Sequence, residues 1–258
     1  MTAETRSGRR LLAPSWVGLV LLAVFAPGAP AEEITKEQIV GMLRLASDKA
    51  PLDLSGKDLS RLDLSGLDFK RAKLTGANLT GAILAGANLF GADLTRANLT
   101  GANLSRANLD IALLADADLT RADLSRASLF GVLLTKATLV EANLSGARII
   151  ANLSNANLTG ANLSNADMAA DMRNQPMGLM RVFLTGADLT RANLTGANLS
   201  RAEMSFANLS RADLTGANVL GADLSGANLE GAIFKGARGR GELKGLDAAK
   251  NVDKAIFE

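Results

Sequence analysis

The chain of 258 residues has no cysteine, no histidine and no tyrosine, and its single tryptophan is Trp16. These gaps exclude several kinds of chemistry. Without Cys or His there is no thiolate nucleophile, no imidazole general base and no zinc site of the usual Cys/His kind. Aromatic residues make up only 3% of the chain, so any core must be assembled mostly from aliphatic side chains.

The N-terminal segment reads differently from the rest. Arg6, Arg9 and Arg10 precede the apolar run "WVGLVLLAVFA" at 16–26, followed by Pro27, Gly28 and the small-residue site "APA" at 29–31. This is the pattern of a cleaved secretory signal over residues 1–31, because the run is too short to span a bilayer comfortably. Membrane contact is expected only through this segment, if it is not cleaved. With no Cys after the run, lipid anchoring there is excluded. Arg9-Arg10 resembles a twin-arginine signal only weakly, so the export route is left open. Cleavage after Ala31 would remove Glu4 and the three arginines, leaving 25 basic and 25 acidic residues of the original 28 and 26. The formal charge of +2 and the pI near 9.0 then belong to the precursor and are no nucleic-acid signal.

From Leu54 through Ile149, Leu or a substitute recurs at every fifth position, and from Ala72 onward Ala usually stands two residues before it. A helix does not fit this period. Five residues at about 100° each spread Leu around the whole cylinder, and the Gly, Asn, Ser and Thr of every phrase oppose helix. Extended chain does fit. Ala and the Leu two positions later point to one side, and the Asp or Asn between them and the Ser or Thr after point to the other. Gly, Arg or Asn then stands at the turn. Gly and Asn tolerate positive φ there, and Arg is expected where the turn does not require it.

The phrases "RANLTGANLSRANLD" (96–110) and "RADLTGANVLGADLSGANLEGA" (211–232) resemble the pentapeptide-repeat family. With about thirty-five phrases over 52–236, the match is specific. The resemblance implies an all-β fold, a right-handed quadrilateral β-helix with four phrases to a coil. At about 4.8 Å per rung, roughly nine coils make a rod on the order of 40 Å long.

Two irregularities break the register. "ARII" (147–150) is one residue short, and "DMRNQPMGLMRVF" (171–183) is expected to carry a small loop at 173–176 before phrases resume at Met177 and Val182. Open β-stacks expose unpaired edges, so the ends need covers. At the front, residues 32–51 form a linker and cap: Thr35 with Gln38 makes a capping-box pattern, Ile34 with Ile39 a hydrophobic staple, and Ile39, Met42, Leu43 and Ala46 share one face, predicting a short capping helix over 35–47. At the back, residues 237–258 are a C-terminal connection and cap. There "AIFE" (255–258) echoes "AIFK" (232–235), which predicts that Phe257 re-enters the core, and "KGARGRGELKG" (235–245) reads as a solvated, Gly-rich connection.

No catalytic, cofactor or metal site is expected. Asp93, Asp118, Asp123, Asp188, Asp213 and Asp223 occupy the outward slot between Ala and Leu, and Asn fills that slot as often. This interchange indicates a surface and turn preference, not paired acid/base work. The spacing lacks both calcium-loop patterns, and "GANLTG" lacks the ending of a phosphate loop.

The departures from the phrase are more informative. Phe90, Ile111, Leu113, Phe130 and Leu133 are apolar at outward positions. The twenty-residue spacing of Leu113 with Leu133, and of Phe90, Asp110 and Phe130, places them on successive rungs. They form the candidate partner surface. The expected function is an exported, non-enzymatic scaffold in the periplasm or medium, binding an unidentified protein or a second copy of itself and no nucleic acid. The alternative follows from the resemblance: some family members mimic DNA, bind gyrase and protect it from quinolones. That role needs the cytoplasm and a strongly negative surface, so the signal segment and the neutral mature charge disfavour it.

Overall fold

The computed structural model describes residues 34–171 and 180–258. The expected signal segment, the Arg173–Pro176 loop and Met177 lie outside the described residues. Helix α1, Lys36–Leu45, opens the described chain. Thr35 caps it, accepting from the Gln38 amide at 3.3 Å, while the Gln38 side chain accepts from the Thr35 amide at 2.8 Å. These reciprocal bonds satisfy amides that a helix start otherwise leaves orphaned. Ile39 is fully buried, and Ile34, Met42, Leu43 and Ala46 pack against the same core, so α1 lays its apolar face on the first coil.

From Leu52 onward the chain winds in four-sided coils. Each side is one phrase, and each outward Asp or Asn pairs in parallel with the residue one coil later: Asp58 with Asn78, then Asn98, Asp118 and Thr138. Sides are too short for long strands. Only β1 (Ser128–Leu133) and β2 (Arg148–Asn152) run on, paired in parallel. Inside, columns of Ala and Leu from Ala72 and Leu74 to Ala232 are almost wholly buried. Each buried Leu contributes about 1.5–3 kcal/mol, which is how so few aromatic residues suffice.

At most corners the last residue of the phrase, usually the one after Ser or Thr, takes positive φ, closed by a bond such as Ala77 N–H to the Leu74 carbonyl at 3.0 Å. Arginine departs from the expectation here. Nine arginines, among them Arg96 (φ 57°) and Arg121 (φ 56°), occupy this left-handed conformation alongside the glycines. The corner geometry is imposed by the coil above and below, so a residue without glycine's freedom adopts it at a cost of about 1–2 kcal/mol.

The Asp/Asn interchange has two local causes. Each side chain accepts from the amide two residues on, as Asn98 Oδ1 does from Thr100 at 3.0 Å. Many Asn amides also donate to the rung below: Asn78 to Asp58 at 2.9 Å, Asn143 to Asp123 at 3.0 Å, Asn218 to Asn198 at 3.0 Å. Among the described pairings no Asp lies directly on another Asp, and the one pair of like charges facing across the ladder is Glu203 on Asp223, where Arg181 offsets the repulsion by pairing with Glu203.

These bonds give an acid-side prediction. The Ser65 hydroxyl (2.6 Å) and amide (3.0 Å), then Lys36, draw Asp63 down to about 2, and the hydroxyls and amides of Ser55 and Ser225 lower Asp53 and Asp223. Folded values below the unfolded value near 4 mean that this stability is fully present above that value and lost as pH falls from about 4 towards about 2. The melting temperature should therefore hold level from neutral pH to about 5 and fall below about 4; a protein equally stable at both ends of that window would remove the carboxylate ladder from the account.

Both irregularities sit at one corner. Pairing of Asn143 with Asn162 spans 19 residues where a coil takes 20. Ile149 and Ile150 are both buried and β2 runs through the corner without a turn residue, so Gly131 and Val132 oppose the single residue Ala151 in a bulge. One coil later, Asp167 to Asn198 spans 31 residues, an insertion of eleven. Its base is closed by an antiparallel bridge, Asp171 N–H to the Met180 carbonyl at 2.8 Å, and the regular phrase resumes at Val182.

The C-terminal segment is more regular than a solvated connection. Arg238, Lys244, Lys250 and Ile256 pair with Asn218, Asp223, Asn228 and Ile233, so residues 238–256 wind a further coil with six residues to a side. Three-residue 3-10 turns, Arg240–Glu242, Leu246–Ala248 and Val252–Lys254, make its corners after the positive-φ residues Gly239, Gly245 and Asn251. The sixth residue is absorbed in each 3-10 turn, so the coil still meets the rung beneath. Phe257 stacks on Phe234 at 5.1 Å between centroids.

Candidate functional site

The candidate apolar residues converge on one edge of the coil stack. Phe90, Asp110, Phe130 and Ile150 form a column at the end of one side, joined rung to rung by Gly91 N–H to the Asp110 carbonyl and Ile111 N–H to the Phe130 carbonyl. Leu113 and Leu133 are bonded neighbours at the start of the next side. Ile111 occupies the corner between the two sides. Ile111, Leu113 and Leu133 are 45%, 38% and 43% exposed. Phe90 and Phe130 are half-buried, so the phenylalanines form the edge's flank and the aliphatic residues its crest.

Ile111 is the conspicuous member. It is β-branched and held at φ 54°, a combination that marks a genuine backbone outlier. Gly91 and Gly131 lie below and above it, and a Cβ on Gly131 would come within 3.1 Å of the Ile111 side chain. The two glycines thus make the room that Ile111 fills. Strain of this kind persists where surrounding structure enforces it and clusters at functional sites. Ile111→Gly should raise stability by about 0.5–1 kcal/mol, the left-handed strain relieved less the entropy of a new glycine; a lower melting temperature would show that the side chain stabilises the corner by more than its conformation costs.

The apolar surface extends beyond the residues singled out from sequence. Leu133, Ile150, Met180 and Phe183 line a hollow of about 250 Å³ whose floor is the bulge at Val132 and Ala151. Phe183 stands on Asn152 in the same column as Leu113 and Leu133. Phe206, 69% exposed at φ 58°, occupies the opposite corner of that side one rung on, its ring over Gly226. Both were legible from the same phrase rule, Phe183 in the slot of Leu113 and Phe206 in that of a corner Gly or Arg.

Arg148 ties this edge to the insertion. Its guanidinium lies 5.2 Å from the Phe130 ring centroid and 3.4 Å from the buried Asp171 carboxylate. Arg181 pairs with Glu203 at 3.4 Å. The ionic groups nearest the hollow are thus engaged with one another, leaving the hollow itself lined mainly by apolar side chains. No cluster of acidic residues able to hold a metal occurs among the described residues, and none of their helices is long and apolar enough to cross a membrane.

The family model for pentapeptide repeats matches eight copies, over 52–81, 72–110, 112–149, 151–170, 179–216 and 207–238. The chain belongs to the pentapeptide-repeat family. Its fold is the family's right-handed quadrilateral β-helix. Among solved structures it is similar to HetL, a pentapeptide-repeat protein involved in heterocyst differentiation regulation from the cyanobacterium Nostoc sp. strain PCC 7120, with 34% identity, a TM-score of 0.62, and 86% of this chain and 94% of HetL covered. It shares its fold with a trypsin-treated form of QnrB1, a plasmid-mediated fluoroquinolone resistance protein, at 22% identity and a TM-score of 0.56, covering 77% of this chain and 92% of the other. No curated protein matches. Repeats are matched up to 238, where the six-residue sides begin.

Proposed function

We propose that this pentapeptide-repeat protein is an exported, non-enzymatic scaffold that binds a protein partner through the edge carrying Phe90, Ile111, Leu113, Phe130 and Leu133. The observation that carries this reading is the exposed, conformationally strained Ile111 beside Leu113 and Leu133 on consecutive rungs. A monomer gains little core stability from exposing contiguous aliphatic groups, and such a patch is the usual mark of an interaction surface. Export rests on Arg6, Arg9, Arg10, the apolar run at 16–26 and the site at 29–31. The alternative of a DNA-mimicking gyrase binder in the cytoplasm is disfavoured by the neutral charge left after cleavage, since such mimicry needs a strongly acidic surface. No cofactor is required by this function.

Cell fractionation combined with proximity labelling tests both halves. The wild type should be recovered outside the cytoplasm, beginning at Glu32 and lacking Trp16. Leu133→Asp should lose its labelled partner while its melting temperature stays within a few degrees. Retention of Trp16 in soluble cytoplasmic protein would overturn export, and unchanged labelling of the variant would overturn the surface.

A further inference from the structure

A second surface, on a different side of the coil, has an unexplained arrangement of charge. Arg106 and Arg126 occupy the same corner one rung apart, joined through Arg106 N–H to the Ser125 carbonyl at 2.9 Å and Arg126 N–H to the Ser145 carbonyl at 3.0 Å. Both are exposed and both are held at φ 58°, where glycine would carry no strain. Neither has an ion-pair partner among the described residues. Two like charges one rung apart, each in a conformation that favours glycine, oppose stability on two counts.

Beside them is a groove of about 620 Å³ lined by Ser105, Ser125, Ser145, Asp123 and Asn143. The Ser105 hydroxyl donates to Asn103 at 2.7 Å, but the hydroxyls of Ser125 and Ser145 have no acceptor among the described residues. The one carboxylate present, Asp123, directs Oδ1 to the Ser125 amide at 2.9 Å and the Asn143 amide at 3.0 Å. Two unpaired guanidiniums and two free hydroxyls therefore line one shelf, carried by backbones one rung repeat, about 4.8 Å, apart.

Arg191 and Arg211 provide an internal comparison. They too stack on one corner, at φ 58° and 59°, and neither has an ion-pair partner among the described residues. Yet the hydroxyls beside them are occupied, Thr190 donating to Asp188 at 2.5 Å and Ser210 to Asn208 at 2.7 Å. The arginine pair is alike in the two places, but above Arg211 the carboxylate Glu230 stands where Ser145 stands above Arg126, and only the first place has spare neutral donors.

We infer that Arg106, Arg126, Ser125 and Ser145 form a binding site for a tetrahedral oxyanion, a phosphate or sulfate group held between the two guanidiniums. Guanidinium forks match the oxygens of such a group, and charge-assisted bonds to it are stronger than neutral ones. The anion neutralises the like-charge pair, and its remaining oxygens accept from the two hydroxyls. The group is supplied either as the free ion or as a monoester on a larger molecule.

The test is a titration of the full chain with inorganic phosphate, at ionic strength held constant with sodium chloride, read from the arginine Nε–H resonances and serine amides. Saturable shifts confined to Arg106, Arg126, Ser125 and Ser145 are expected. The double variant Arg106→Gly, Arg126→Gly should bind about tenfold more weakly or worse, whereas Arg191→Gly, Arg211→Gly removes the same charge elsewhere and should retain affinity within about twofold. Glycine suits both corners, so neither variant should lose melting temperature. Methyl phosphate binding as well as phosphate assigns the site to a monoester, and failure of methyl phosphate assigns it to the free ion. Shifts that do not saturate, or equal losses in the two double variants, would overturn the site and leave only general attraction of anions to arginine.

Discussion

Leu99→Asp should destabilise the protein by at least about 4 kcal/mol, while Thr100→Ala, one residue away, should cost less than about 0.5 kcal/mol. Leu99 is fully buried in a column between Leu79 and Leu119, with Ala97 and Ala102 beside it. A carboxylate there has no donor within the column and cannot reach water without opening a side of the coil. Thr100 points outward. Its structural contribution is made by its backbone, as the N–H donates to Asn98 and the carbonyl accepts from Gly81, and alanine keeps both bonds. The coils contact only their neighbours, so stability is close to a sum over rungs and interfaces. The defect should therefore separate the stack at its middle. Amides on the rungs of Leu79, Leu99 and Leu119 should lose hydrogen-exchange protection first, with those near Leu209 retaining it longest. Equal losses of stability in the two variants would defeat the division into inward and outward positions.

That division was legible because every side of the coil repeats one short sentence. Ala, Asn, Leu, Thr and Gly each have a single geometric task, and a period of five is by itself incompatible with one apolar stripe on a helix. The edge formed by Ile111, Leu113 and Leu133 was legible for the same reason, as an exception to a rule stated many times. Arginine at the corners was misread because its own preference disfavours positive φ, and the stack overrides that preference. The last coil was hidden by a change of period. Gly239, Gly245 and Asn251 stand six apart, which is the signal, but the residues between them no longer follow the phrase. The link from Arg148 to Asp171 could not be read at all. It depends on how an eleven-residue insertion leaves the corner, and no periodicity encodes that.

The six-residue coil carries the second large prediction. Gly239→Ala should cost about 3 kcal/mol or more, but only at one end of the molecule. Gly239 has φ 74°, and a Cβ there would lie 2.6 Å from the Leu220 Cα and 2.7 Å from its nitrogen. The obstruction is backbone, which no rotamer change relieves, and it adds to the left-handed strain of an alanine. The chain's cheapest response is to release the terminal coil. That loses the bonds from Val219 N–H to the Arg238 carbonyl and from Leu224 N–H to the Lys244 carbonyl, and it exposes Phe234 by withdrawing Phe257 from its face. Hydrogen exchange should show protection lost at the amides of Arg238, Lys244, Lys250 and Ile256 while the rungs around Leu99 are unchanged, and the freed edge should increase self-association in sedimentation. Gly41→Ala is the matched control, because 41 lies within α1 with nothing within 4 Å of its added Cβ; it should be neutral or stabilising by up to about 1 kcal/mol. If Gly239→Ala left the terminal amides protected, the close approach to Leu220 would not be what holds position 239 to glycine.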